Sequence, residues 1–163
     1  MINNYLSPLE FKILIKRLPN VEFFTQRAAI PSISTTAVQQ PTRFNNVFRT
    51  PDSVNFSNLD VSFIVDESMN NYMEIFNWIL STANVESHDR FRQLKSSPEG
   101  LFSDISIIIL NSKKNPNIEI SYTNCFPISL SDIQMNTTDT DVTYPEATVS
   151  FQYDTFDIRH LTS

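Results

Sequence analysis

Glycine and cysteine are nearly missing from this chain: among 163 residues there is one of each, Gly100 and Cys125. A single glycine excludes the glycine-rich phosphate loops, since both phosphate-binding fingerprints need at least two. A single cysteine excludes a disulfide within the chain and every multi-cysteine zinc or iron–sulfur site. Histidine occurs only twice, as His88 and His160. Charge is also short, at 18% of residues against roughly 25% in an average soluble domain. Twelve Lys and Arg against 18 Asp and Glu leave a formal charge of −6, which argues against affinity drawn from nucleic-acid phosphates or an anionic membrane. No apolar run approaches the ~20 residues of a membrane span. Met1–Glu10 shows no basic stretch followed by an apolar one, so a soluble chain without a targeting leader is expected.

What is present is a chain of single-domain length, with 1–163 read as one unit that buries roughly 70% of its unfolded surface without help from metals or disulfides. Asn, Ser and Thr are abundant. A polar but weakly charged surface suits a subunit covered by its neighbours in an assembly, and equally an ordinary β-rich monomer.

Periodicity sets the expected elements. In Glu10–Leu18, Phe11, Ile13 and Ile15 alternate with Lys12 and Lys16, the mark of a half-buried strand. Pro19-Asn20 reads as a turn and Val21–Ala28 as the second strand of a hairpin. Ser32–Gln40 is rich in β-branched residues, and Pro41 and Pro51 bracket a polar stretch, so Pro41–Asn55 is expected as a long loop or an extended hairpin tip. Phe56–Val65 is a strand with Leu59, Val61 and Phe63 on one side. The period then changes: Tyr72, Met73, Phe76, Ile79, Leu80 and Ala83 form one face of a helix from about Met69, with Trp78 at its margin. Asp66 or Ser68 is expected to cap it, with Glu67 at its positive end.

His88–Ser103 reads as charged and irregular, and Ser97-Pro98-Glu99-Gly100 as a turn. Ile105–Leu110 is a near-continuous apolar run, expected as a strand covered on both faces. Ile118–Thr123 alternates, Pro127 is expected to interrupt, Leu130–Met135 resumes, and Ala147–Ile158 closes the chain as one strand. The expectation is a mostly β fold, an antiparallel barrel or sandwich of about seven or eight strands with one flanking helix.

Catalytic chemistry finds little to use. His88, His160 and Cys125 are not spaced as a nucleophile–base couple, and the histidines read as exposed structural residues. Asp139, Asp141 and Glu146 offer oxygen ligands without the turn glycine and further ligands of a calcium loop, so no metal or other cofactor is expected. Asp154 and Asp157, three apart, are expected on opposite strand faces. The glycosylation-type triplets Asn55-Phe56-Ser57 and Asn136-Thr137-Thr138 read as chance matches in so Asn- and Ser/Thr-rich a chain. The residues that do stand out are Arg43, Phe44, Val47, Phe48 and Arg49, a mixture of arginine and apolar side chains in the long loop. A base-stacking platform has that composition. On an acidic chain it fits a protein–protein anchor better, and these five are the candidate interface residues.

The order of features carries a resemblance. A strand and hairpin lead to the break Ala28-Ala29-Ile30-Pro31, and a long extended hairpin returns through Asn58-Leu59-Asp60-Val61-Ser62-Phe63-Ile64-Val65-Asp66-Glu67. One helix carrying Phe76-Asn77-Trp78 follows. Then come Asn124-Cys125-Phe126-Pro127-Ile128-Ser129-Leu130 and a closing aromatic strand. Over roughly residues 10 to 159 this resembles the tail tube proteins of contractile-tailed bacteriophages. Where members of that family commonly place glycine before the aromatic-Pro turn, this chain has Asn124-Cys125.

The resemblance implies a structural, non-enzymatic virion protein of the tail. Its copies form rings of six that stack into a tube, beside sheath and baseplate proteins, around a lumen through which DNA passes without specific binding. Pairing across subunits would satisfy open strand edges, and six copies of a −6 chain carry about −36 formal charges, which repel DNA wherever they line the lumen. A related ring at the baseplate or head end, or a tube subunit of a bacterial contractile injection system, carries the same features. A hydrolase is the alternative from another class.

Overall fold

Alternation at period two dictates most of the strands, and in the computed structural model every strand pairing is antiparallel. The structure describes residue 6 and residues 10–83, 88–96, 100–136 and 144–161. In chain order the elements are β1 (Phe11–Ile15), α1 (Pro19–Phe24), β2 (Thr25–Ala28), β3 (Ile33–Ser34), β4 (Val38–Pro41), β5 (Asn46–Arg49), β6 (Asn55–Phe56), β7 (Leu59–Ile64), α2 (Asn70–Ala83), α3 (His88–Ser96), β8 (Ser103–Leu110), β9 (Pro116–Leu130), β10 (Glu146–Gln152) and β11 (Thr155–His160).

Seven strands share one sheet in the order β1-β8-β9-β10-β7-β2, with β11 on the second side of β9. The hinge of the fold is β9. Its first half, Ile118–Thr123, runs between β8 and β11, whereas Phe126–Leu130 pairs with β10. The path ends at β1 and β2 and does not close, so the sandwich form of the expectation holds and the barrel form does not. Inward residues from both halves make one core: Ile13, Ile15, Ile105, Ile107 and Ile120 from one, Leu59, Val61, Phe63, Val149 and Phe151 from the other. Tyr122, Tyr153, Phe156 and Phe56 form an aromatic cluster at its end, the Tyr122 and Tyr153 rings meeting edge-on at 5.1 Å.

Several expectations are corrected. Val21–Ala28 is not one strand: Pro19 opens the short helix α1, where its missing N–H costs nothing, and only Thr25–Ala28 is extended. Residues 88–96 are helical, although an apolar stripe is lacking to announce it. The second face of β8 is half-buried rather than covered. Pro127 does not interrupt β9; it pairs with Phe151 where β10 shifts register, and such an irregularity accommodates a residue without an N–H. Residues 131–136 are not strand. The closing segment is two strands separated at Tyr153-Asp154, so Asp154 lies in a bend and only Asp157 is on β11. The turn residues Ser97, Pro98 and Glu99, and the pair Asp139 and Asp141, lie outside the described residues.

The helix face differs as well. On α2 the buried residues are Asn71, Ile75 and Trp78, while Met73 and Phe76 are exposed and Tyr72 and Ile79 are half-buried against the core. Trp78 wedges against Phe151 at 6.2 Å, donates from Nε1 to the Leu101 carbonyl and carries the Arg17 guanidinium over its ring at 4.8 Å. Among the described residues neither Asp66 nor Ser68 makes a side-chain bond to the first turn, and Asp66 accepts from the Met69 amide through its carbonyl at 2.9 Å. Asn71 organises the entry instead: its Oδ1 accepts from the Asp66 and Tyr72 amides and its Nδ2 donates to the Ile64 carbonyl.

Candidate assembly surfaces

Between Pro31 and Phe56 the chain leaves the body. The short ladders β3–β6 and β4–β5 fold residues 32–55 into a two-legged arm, and each of those residues is exposed. At the root, Ser32 and Ser57 exchange two hydrogen bonds of 2.8 and 3.1 Å, and Phe56 sinks into the aromatic cluster beside Phe156. The tip is a tight turn in which the Thr42 amide donates to the Asn45 carbonyl at 2.9 Å. The long stretch is thus an extended hairpin held at its base and exposed along its length.

The structure gathers the five interface candidates on this arm and sorts them. Phe44 stands at the tip, 94% exposed, with the Arg43 guanidinium 5.9 Å from its ring centre. Register places Val47 opposite Gln40 and Arg49 opposite Val38, so these four share one face, whereas Phe48 lies opposite Gln39 on the other. Arg49 donates from Nε to Gln40. Each face and the tip therefore carry an apolar side chain that water surrounds, and the cost of that exposure is recovered only if another surface covers it.

A second surface was not legible in the sequence. Where β7 runs into α2, an apolar groove of about 620 Å³ is lined by Phe24, Val65, Met69, Ile133 and Met135 together with the carboxylate residues Asp66 and Glu67. Met69 enters it from a left-handed backbone, φ 56°. Asp66 and Glu67 read in the sequence as helix-capping residues, so nothing marked them as part of a recess.

The residues with catalytic potential stay apart in character. Cys125 is fully buried on β9, whereas His160 ends β11 on the exposed surface. Burial pushes the Cys125 thiol up to about 12, the nearby Asp104 and Asp154 carboxylates adding to the shift and a backbone hydrogen bond at Ile105 opposing it. A thiol held protonated is a poor nucleophile. His88 opens α3, and its side chain lies outside the description.

The solvent face of β1-β8-β9-β11 carries Lys12, Lys16 and Arg159 against Asp104, Glu119 and Asp157, with Arg159 3.2 Å from Asp157.

The fold has close relatives among solved structures. A chain of the PVC sheath–tube complex of an extracellular contractile injection system, in its extended state, superposes with a TM-score of 0.71 at 13% identity, over 98% of this chain and 95% of that one. A chain of the anti-feeding prophage cap, which terminates that particle's tube, gives 0.69 at 15% identity over 99% and 95%. One from the anti-feeding prophage baseplate gives 0.65 at 15% identity over 98% and 97%. At such identities the likeness is one of fold. No curated protein is similar enough in sequence to match. The sequence itself matches the family model described as phage tail tube protein across residues 8–159, taking in the sandwich, its helices and the exposed arm together, and the chain therefore belongs to the phage tail tube protein family.

Proposed function

We propose that this chain is the repeating subunit of a tail tube, assembling as rings of six that stack through the arm into a conduit for DNA. The observation that carries the reading is the family match over residues 8–159, and the bare arm supplies a physical means of stacking. The role is structural rather than catalytic, in keeping with a thiol buried in the core and a histidine at a strand end. Among the described residues β1 pairs only with β8, β2 only with β7 and β11 only with β9, so three outer edges are available to strands of adjacent copies. Sheath and baseplate proteins are the expected neighbours in a virion tail. A ring at the cap or baseplate end is the second reading, favoured by the similar fit to cap and baseplate chains.

Negative-stain microscopy of the purified chain tests both. Six-fold rings that lengthen into tubes with concentration are expected. Rings that never stack point to the cap or baseplate position, and a monomer at every concentration overturns the assembly reading.

A further inference from the structure

We infer that the groove beside the start of α2 receives the arm tip of a second copy of this chain, with Phe44 in the apolar recess and Arg43 beside Asp66 and Glu67. The inference rests on the tube reading and names the surface that the arm grips. Three observations converge on it. The first is complementarity of charge: the arm presents Arg43 and Arg49 beside Phe44 and Phe48, while the groove presents Asp66 and Glu67 beside Val65, Met69 and Ile133. An apolar anchor flanked by cations matches an apolar recess flanked by carboxylates.

The second is an unsatisfied atom. Oδ1 of Asp66 is shut away from water and has no hydrogen-bond partner among the described residues. A buried carboxylate oxygen without a donor is costly, and a turn of the half-buried Asp66 side chain toward the groove lets a guanidinium from another chain supply donors of the right charge and geometry. The third is reach. Each leg of the arm, Ser32–Pro41 and Asn46–Asn55, extends up to about 30 Å at roughly 3.3 Å per residue, and both legs are exposed throughout. In its own chain Phe44 is 94% exposed, so the tip does not fill the groove of the body that bears it.

Disulfide trapping tests the contact. Asn45→Cys, beside Phe44 at the exposed tip and leaving that anchor in place, is combined with Met135→Cys, which replaces a groove residue that is 77% exposed, and Cys125 is retained because it is buried. Oxidised assemblies of the double variant should give a ladder of covalent dimers and higher species on a non-reducing gel, and each single variant should give monomer. A monomer-sized internal cross-link overturns the proposal by making the arm's own body the occupant. Free thiols within well-formed tubes overturn it while leaving the tube reading intact, whereas failure of the wild-type chain to assemble at all removes both.

A charge exchange supplies a second readout. Glu67→Arg or Arg43→Glu alone should raise the concentration needed for stacking on the order of tenfold, and the two together should restore it. Impairment by both single changes without rescue in the double shows that the pair does not meet, which also overturns the assignment.

Discussion

With one glycine in the chain, left-handed backbone corners fall to other residues. Gly100 takes one at φ 66°, but Met69, Lys114 and Asn124 take three more at 56°, 62° and 55°. Asn124 is the corner at which β9 leaves β8 and β11 to join β10. Asparagine tolerates that conformation better than most residues. Here its Nδ2 also donates to Asp154 Oδ2 at 2.6 Å, tying the corner to the bend before β11. Asn124→Val should cost about 2 kcal/mol or more, from the strained φ and the lost bond together. Asn124→Gly loses only the bond and should cost about 1 kcal/mol or less. Urea unfolding of the subunit compares them, and equal losses would show that the corner is not strained.

At the scale of elements, α2 and the arm show how burial is shared between the subunit and its assembly. The helix is apolar around much of its circumference, so packing and not pattern chose the inward face. Trp78→Ala should cost about 3–5 kcal/mol, because the ring is buried against Phe151 and its N–H is spent on Leu101. Phe76→Ala, at a residue 42% exposed, should cost about 1 kcal/mol or less. Thermal unfolding of the two variants checks the face directly, and the reverse ranking would restore the face expected from periodicity. For the arm, Phe44→Ala with Phe48→Ala should leave the unfolding midpoint of the isolated subunit unchanged, since neither ring touches the body. The same double variant should lose tubes on micrographs. Normal tubes, or an unfolded subunit, would contradict an arm that works between chains.

Across the whole molecule, the aromatic end of the core ties stability to alkaline pH. Burial raises the Tyr122 and Tyr153 hydroxyls above their usual value near 10 and the Cys125 thiol from 9 to about 12, with Tyr153 and Cys125 adding to the shift of Tyr122 and Cys125 adding to that of Tyr153. The folded state therefore holds protons that the unfolded chain releases. Their contribution to stability is complete below about pH 9 and is lost as pH rises toward the folded values. The denaturant midpoint should fall between pH 8 and about pH 11, and Cys125 should resist alkylation at pH 8 until the subunit unfolds. A midpoint that is flat or rising over that range would show these groups to be solvated.

The sequence by itself determined what local chemistry can determine. The alternation in Phe11–Ile15 and Leu59–Phe63 set the apolar faces that the structure turns to the core, because a one-residue slip would move every apolar side chain to the opposite face. Ser62 on the other face of β7 is buried as well, beside Thr148. The order of features in the chain resembled the family to which it belongs. The five arm residues stood out because arginine and phenylalanine exposed in one long loop have few uses within a single chain. Tertiary structure decided the rest. Pro19 fits a turn and a first helical turn equally well, and only the burial of Val21 selected α1. Pro127 breaks a strand unless a neighbour yields, and β10 yields by shifting its register. The groove at Asp66 and Glu67 has lining residues drawn from α1, from β7 and the turn after it, and from Ile133, Met135, Tyr144 and Pro145. A recess formed by segments so far apart in the chain has no periodicity of its own, and it exists only once the sandwich has folded.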